Sequence, residues 1–425
     1  MPQKVNTVRK GVQTLFLPTS SFTTTLVSMN FYLPLEKETI AQYSLLSELL
    51  ITCSADYPDY LKLNYKLSDL YGADIQSSVS KVGDLLCVKF LASSINNNFA
   101  IGNENIVEQS VKLLLDLIFR PKTVNESFEE TDIKREKRKL IDRIKGELNE
   151  KRVYANNRLI AEMFEEDSYG AFRLGTVETV SSLDGKALYS AWKKMLETAF
   201  VRINVIGQSQ PLDVYDRIDE ELKAYDRRKI TDITKIAPLT KRQEVKRVTE
   251  KMNVSQGKLV MGFNAPFGSD EDSLSATVMS DIFGGGPYSR LFGNVREKMS
   301  LCYYCRASIK RNKGFMTVDC GVSEENAQKA EAAILEQLEV MKQGGFTDFE
   351  FSSSVKSLKD SLSSYRDSQN AMDAWYTLKI AEKEVYSPEE IGEMLDKISR
   401  EDIISAAKKC FYNTVYMLLP DKENG

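Results

Sequence analysis

Two periods of apolar residues run along this chain. Alternation at every second position marks strands, and recurrence every three or four positions marks helices. Residues 11–31 read as two strands around Pro18-Thr19-Ser20-Ser21: Val12 to Phe16, then a β-branched and aromatic run from Phe22 to Leu33. Leu45, Leu46, Leu49 and Leu50 give Ala41 to Thr52 the stripe of a helix packed on a sheet, and Tyr57-Pro58 breaks it. Leu61 to Leu70 forms a second helix, ended by Tyr71-Gly72-Ala73. Asp74–Ser80 and Leu85–Ala92, separated by Gly83-Asp84, read as an antiparallel hairpin, and Ile106 to Phe119 is helical up to Arg120-Pro121. A long charged helix spans about Ser127 to Asp167 with room for a break, its apolar residues Leu140, Ile141, Ile144 and Leu148 on one face. Residues 174–180 read as a turn. Asp184 caps a helix to about Thr198, and Phe200 to Ile206 is a strand closed by Gly207.

A polar helix over 212–232 and a charged connector over 233–251 follow, and then the order restarts. Strand Lys258–Phe263, a turn and helix Ser273–Phe283 parallel the strand, turn and helix of 26–52. Strands Cys302–Ser308 and Phe315–Cys320 come next. Helices Glu324–Gln343, one from Asp348, Ala371–Glu382, Pro388–Ile398 and Glu401–Ala407 lead to a closing strand Thr414–Leu419. Element order therefore predicts a duplicated unit of about 200 residues. The boundaries are a first domain over 1–232, a linker over 233–251 and a second domain over 252–425.

With 425 residues and 42% hydrophobic content the chain can bury more than one core. Its 57 basic and 61 acidic residues leave a formal charge of -4, which points to neither nucleic acid nor an anionic membrane. No apolar run approaches the eighteen or so residues of a membrane span, and no secretory signal follows the first bases, so a cytoplasmic location is expected. Six cysteines in so long a chain are no disulfide framework. Cys302 and Cys305 have a CxxC spacing, but residues three apart on a strand point to opposite faces, so both read as buried thiols rather than a redox or metal pair. The chain has no histidine at all. Imidazole is thereby excluded as metal ligand, triad member or base near neutral pH.

The most specific stretch is Gly284-Gly285-Gly286-Pro287-Tyr288-Ser289-Arg290-Leu291-Phe292, followed by Val295-Arg296-Glu297-Lys298 and Leu301-Cys302-Tyr303. Its glycines suit a tight turn with positive backbone angles that ends a helix, and they match neither phosphate-binding glycine pattern. A short helix would carry Arg296 and an aromatic strand Tyr303. This signature resembles that of the M16 peptidases, the pitrilysin, insulinase and mitochondrial processing peptidase group, in its M16B-type short subunits, and the resemblance extends over essentially the whole chain. It implies an α+β fold of two homologous metalloenzyme-like (LuxS/MPP-like) domains, each a mostly antiparallel sheet covered by helices, forming half of a clamshell.

In active members of that family the first domain supplies His-x-x-Glu-His and a further Glu from a later helix. Here those positions fall on Ser44, Ser47 and Glu48, and the distal motif on Arg135-Glu136 through Asp142-Arg143. Glu136 keeps the supporting acid, whereas the ligand position falls on Arg143, or on Asp142 if the register slips by one. Arg143 then pairs with a carboxylate, Glu48 or Glu136. The resemblance implies no metal or cofactor on this chain and no peptidase activity for it alone. By the same resemblance Arg296 and Tyr303 would contact a peptide carbonyl, with Gly284, Gly285 and Gly286 along the substrate, in trans to a zinc-bearing partner. The partner implied is an M16-type subunit carrying His-x-x-Glu-His, as in bacterial two-gene pairs. A heterodimer is thus expected, acting on an extended peptide. The alternative is a structural or peptide-binding homodimer with no part in proteolysis.

Overall fold

The computed structural model describes residues 2–102, 104–209, 212–268, 270–382 and 384–421. Strands β1 (Val5–Arg9) and β2 (Val12–Pro18) turn at Gly11, whose φ of 76° glycine adopts without steric cost. Strand β3 (Thr24–Pro34) is buried at nearly every position and leads to helices α1 (Ile40–Leu50) and α2 (Tyr60–Asp69). The hairpin β4 (Asp74–Val82) and β5 (Leu85–Ile95) turns at Gly83, and α3 spans Ile106–Phe119. After a two-residue ladder, β6 (Thr123–Val124) with β7 (Ser127–Phe128), come α4 (Glu130–Asn149) and α5 (Lys151–Met163). The expected long helix is thus two, broken at Glu150, whose extended backbone lets its own carboxylate cap α5.

Residues read as a turn fold instead into α6 (Val177–Ser182), because Thr176 and Thr179 close a reciprocal capping box. Helix α7 (Gly185–Thr198) is capped by Asp184, strand β8 is Phe200–Gly207, and α8 is Leu212–Lys223. The charged connector also departs from expectation. Its last residues form β9 (Lys246–Met252), an edge strand in which half-buried and exposed positions alternate. Then follow β10 (Gly257–Asn264), α9 (Asp270–Gly284), a π-helix over Leu291–Lys298, β11 (Tyr304–Lys310) and β12 (Phe315–Val322). Helices α10 (Ala327–Lys342), α11 (Asp348–Ser363), α12 (Gln369–Leu378), α13 (Pro388–Leu395) and α14 (Arg400–Lys408) precede β13 (Phe411–Pro420).

Two sheets result, ordered β1-β2-β8-β3-β5-β4 and β11-β12-β10-β13-β9. In the first, β2 runs parallel to β8 and the β8, β3, β5 and β4 neighbours are antiparallel. In the second, β9 runs parallel to β13 and the β13, β10, β12 and β11 neighbours are antiparallel. Strand for strand the two orders coincide, with β1 as an addition. The fold is α+β, and the repeat read from element order is real at the level of topology.

The compact units do not follow the sequence boundaries. One comprises Met1–Lys145, Phe172–Lys235 and Tyr365–Tyr386, the other Gly146–Ala171, Ile236–Ser364 and Ser387–Gly425. Helices α5 and α12, at equivalent places in the two repeats, have changed sheets. Strand β3 shows why α12 belongs to the first. Ser28 and Asn30, polar and wholly buried, share a strand face with Thr24 and Tyr32. Asp373 of α12 accepts from Ser28 Oγ at 2.5 Å and Asn204 Nδ2 at 2.8 Å and pairs with Lys89, while Tyr32 donates to the carbonyl of Thr377 at 2.8 Å. In the second unit α5 inserts Ala155, Leu159 and Met163 against Val260, Tyr416 and Leu418.

Candidate functional site

The site positions of the first unit lie on α1 and α4. Ser44 and Ser47 are buried, and each hydroxyl is engaged by a backbone carbonyl, Ser44 Oγ donating to that of Arg173 at 3.2 Å and Ser47 Oγ to that of Ser44 at 3.0 Å. Glu48 sits one residue further along α1, and Arg143 Nη1 donates to its Oε1 at 2.6 Å. So the pair forms with Glu48 and not with Glu136. Glu136, buried on α4, instead accepts from Arg135 Nε at 2.7 Å and Lys139 Nζ at 3.1 Å. With Arg143 nearly half exposed, the Glu48 pair contributes at most about 1 kcal/mol to stability. These residues do not fit zinc. Two candidate donors are hydroxyls spent on backbone carbonyls, and both carboxylates are already neutralised by fixed cations where a metal would need imidazole or free carboxylate.

In the second unit the glycine run closes α9. None of Gly284, Gly285 and Gly286 has positive φ, so the expected left-handed turn is corrected. Close approach explains them better. A methyl group at Gly284 would stand 2.5 Å from the backbone nitrogen of Ala307 on β11, and one at Gly286 2.8 Å from the Tyr288 ring. Tyr288 folds back to donate to Asp281 Oδ1 at 2.7 Å. Burial raises the Asp281 carboxyl above its ordinary range and pushes the Tyr288 phenol up to about 12.

Arg296 rides on the π-helix, whose wide winding shows in the Met299 N–H donating to the carbonyl of Asn294, five residues back, at 3.0 Å. Its guanidinium stacks 4.6 Å from the Phe292 ring centre and meets Glu297 at 3.5 Å. Ser300, at φ 51°, reverses the chain between Arg296 and Tyr303, in a backbone region that costs a non-glycine residue about 1–2 kcal/mol. Tyr303 precedes β11 rather than lying within it. Its N–H donates to the carbonyl of Gly321 at 2.9 Å, its side chain is 66% exposed, and it borders a surface cavity of 270 Å³ with Gln256, Gly257, Val322 and Glu324. Among the described residues no hydrogen bond, ion pair or ring contact joins Arg296 to Tyr303. Arg296 is partly exposed and Tyr303 largely so.

One cluster was misread in the sequence. Because β11 starts at Tyr304, Cys302 is off the strand, and alternation does not separate it from Cys305. The Sγ atoms of Cys302, Cys305 and Cys320 all lie within 4.8 Å of one another. A hairpin turning about Asn312-Lys313-Gly314 places Cys305 opposite Cys320, so the register held the missing signal.

Comparison with known proteins agrees with this geometry. Residues 182–358 match the family model described as peptidase M16 inactive domain. Over 409 residues the chain is 26% identical to the probable inactive metalloprotease YmfF of Bacillus subtilis (strain 168), with 96% of each chain covered. A conserved protein from Enterococcus faecalis V583 superposes over the whole of both chains with a TM-score of 0.91 at 26% identity. A peptidase M16 inactive domain from Pseudomonas fluorescens does so over 99% of each with a TM-score of 0.78, at 15% identity a likeness of fold alone.

Proposed function

We propose, from the premise that this chain is an inactive homologue of the M16 peptidases, that it completes the active site and peptide cavity of a second, zinc-bearing M16 chain. The carrying observation is the contrast between its two halves. The metal positions are filled by Ser44, Ser47 and a Glu48 bound to Arg143, whereas the Arg296 side chain is 40% exposed and Tyr303 is 66% exposed. A guanidinium and a phenol can donate to the carbonyl oxygen of an extended peptide as negative charge develops there. Removing one preorganised donor of this kind costs about 3–4 kcal/mol of transition-state stabilisation. The π-helix and the reversal at Ser300 hold both donors on short, defined elements. The partner is an M16-type chain carrying His-x-x-Glu-His, the substrate is unstructured peptide, and the expected location is the cytoplasm.

The test mixes this chain with such a partner from the same genome and follows cleavage of an unstructured peptide. Neither chain alone should cleave, the mixture should, and Arg296→Ala or Tyr303→Phe should lower turnover at least about tenfold with the complex still formed. Unchanged turnover in both variants would overturn the proposal and leave a structural or peptide-binding homodimer.

A further inference from the structure

The three thiols beside Tyr303 form the densest group of potential metal ligands among the described residues, and the function proposed above makes no use of them. Cys305 and Cys320 face each other directly across β11 and β12 and are 7% and 0% exposed. Cys302 reaches the same spot from the segment before β11 and stays half-buried, which leaves one side of the cluster open to water. A cation with metal–sulfur bonds of about 2.3 Å holds its sulfurs about 3.8–4.0 Å apart. Sulfurs already within 4.8 Å need to close by less than about an ångström to meet that geometry.

We propose that Cys302, Cys305 and Cys320 bind one thiophilic d10 cation, zinc above all, with the fourth position open to solvent on the Cys302 side. All three donors are soft sulfur, which selects zinc and its congeners over magnesium or calcium. A disulfide would use two of the thiols and strand the third. Charge also balances. Three thiolates and a divalent cation sum to minus one, and the guanidinium of Arg296, six residues before Cys302, supplies the single compensating charge. Asp319 stands opposite Arg306, on the other face of the hairpin, and is already paired with Arg152. Since Cys302 adjoins Tyr303, a bound cation would pin the start of β11 and the backbone that carries the phenol. This site is separate from the Ser44, Ser47 and Glu48 positions, and it requires no partner chain.

The experiment takes the full chain, reduced and stripped of metal, and titrates it with cadmium and with zinc. Equilibrium dialysis and the thiolate-to-cadmium charge-transfer absorption should both report about one cation per chain. Cys302→Ser, at the half-exposed position, should keep its circular dichroism and bind more weakly by over about tenfold, the scale on which even outer partners of metal sites act. Cys53→Ser, a cysteine of the other unit, should bind like the native chain. Cadmium should also protect Cys302 of the native chain from alkylation. Absence of charge-transfer absorption, undiminished binding by Cys302→Ser, or unprotected Cys302 at saturating cadmium would each overturn the proposal.

Discussion

Replacing Asp373 by alanine tests whether α12 is truly a member of the first sheet. The carboxylate side chain is 1% exposed and holds three donors: Ser28 Oγ, Asn204 Nδ2 and the Lys89 ammonium, itself only 12% exposed. Truncation leaves that ammonium without its counter-charge in a poorly solvated place, a change that costs about 3–5 kcal/mol in buried pairs. The stem of Lys89 can carry part of the charge toward water, which favours the lower end, about 3 kcal/mol. The two neutral donors lose a partner as well, but their losses share one cavity and do not add in full. The readout is specific. The chain's two tryptophans, Trp192 and Trp375, both belong to this unit, so urea unfolding followed by tryptophan fluorescence reports on it. Combining Asp373→Ala with Lys89→Met should be milder than the sum of the single changes by about 2 kcal/mol, because no orphan charge remains. A loss below about 1 kcal/mol for Asp373→Ala, with an additive double variant, would refute the reasoning.

Two further outcomes are expected. Burial works against the charged form of Glu250, yet hydrogen bonds from Tyr416 and Tyr154 and the charge of Arg158 together hold its carboxyl below the ordinary value. A depressed folded-state value contributes stability that is present above the unfolded carboxyl range and lost as pH falls through the folded one. The docking of α5 should therefore loosen in acid, and Glu250→Gln should flatten that part of the pH dependence; circular dichroism melts that stay parallel below neutrality would contradict this. Gly284→Ala should destabilise the second unit by about 1–3 kcal/mol, since the methyl group meets β11 backbone that cannot yield. A melting temperature equal to that of the native chain would show the contact to be slack.

Much of this protein is written in local pattern. The β-branched and aromatic run of β3, the alternation of β5, the Arg120-Pro121 end of α3 and the cap at Asp184 are short-range statements, and those elements lie within a few residues of where the pattern puts them. Lack of histidine is likewise a property of composition, and it rules out an imidazole-based zinc site whatever the fold. Local pattern failed where charge masked a strand, at β9, and where a single residue of phase mattered, at Cys302.

What needed three dimensions is every pairing between distant parts of the chain. Ser28 meets Asp373 across 345 residues, and nothing near either one announces it. Two equivalent helices can trade sheets because topology constrains element order, while each helix goes where its own polar and apolar groups are matched. For Arg143 the sequence left Glu48 and Glu136 open and the fold chose Glu48, while Cys320 joins its two fellow thiols with no local sign at all. Residue types state what chemistry a chain could perform, but only the closing of long loops decides which side chains stand within bonding distance.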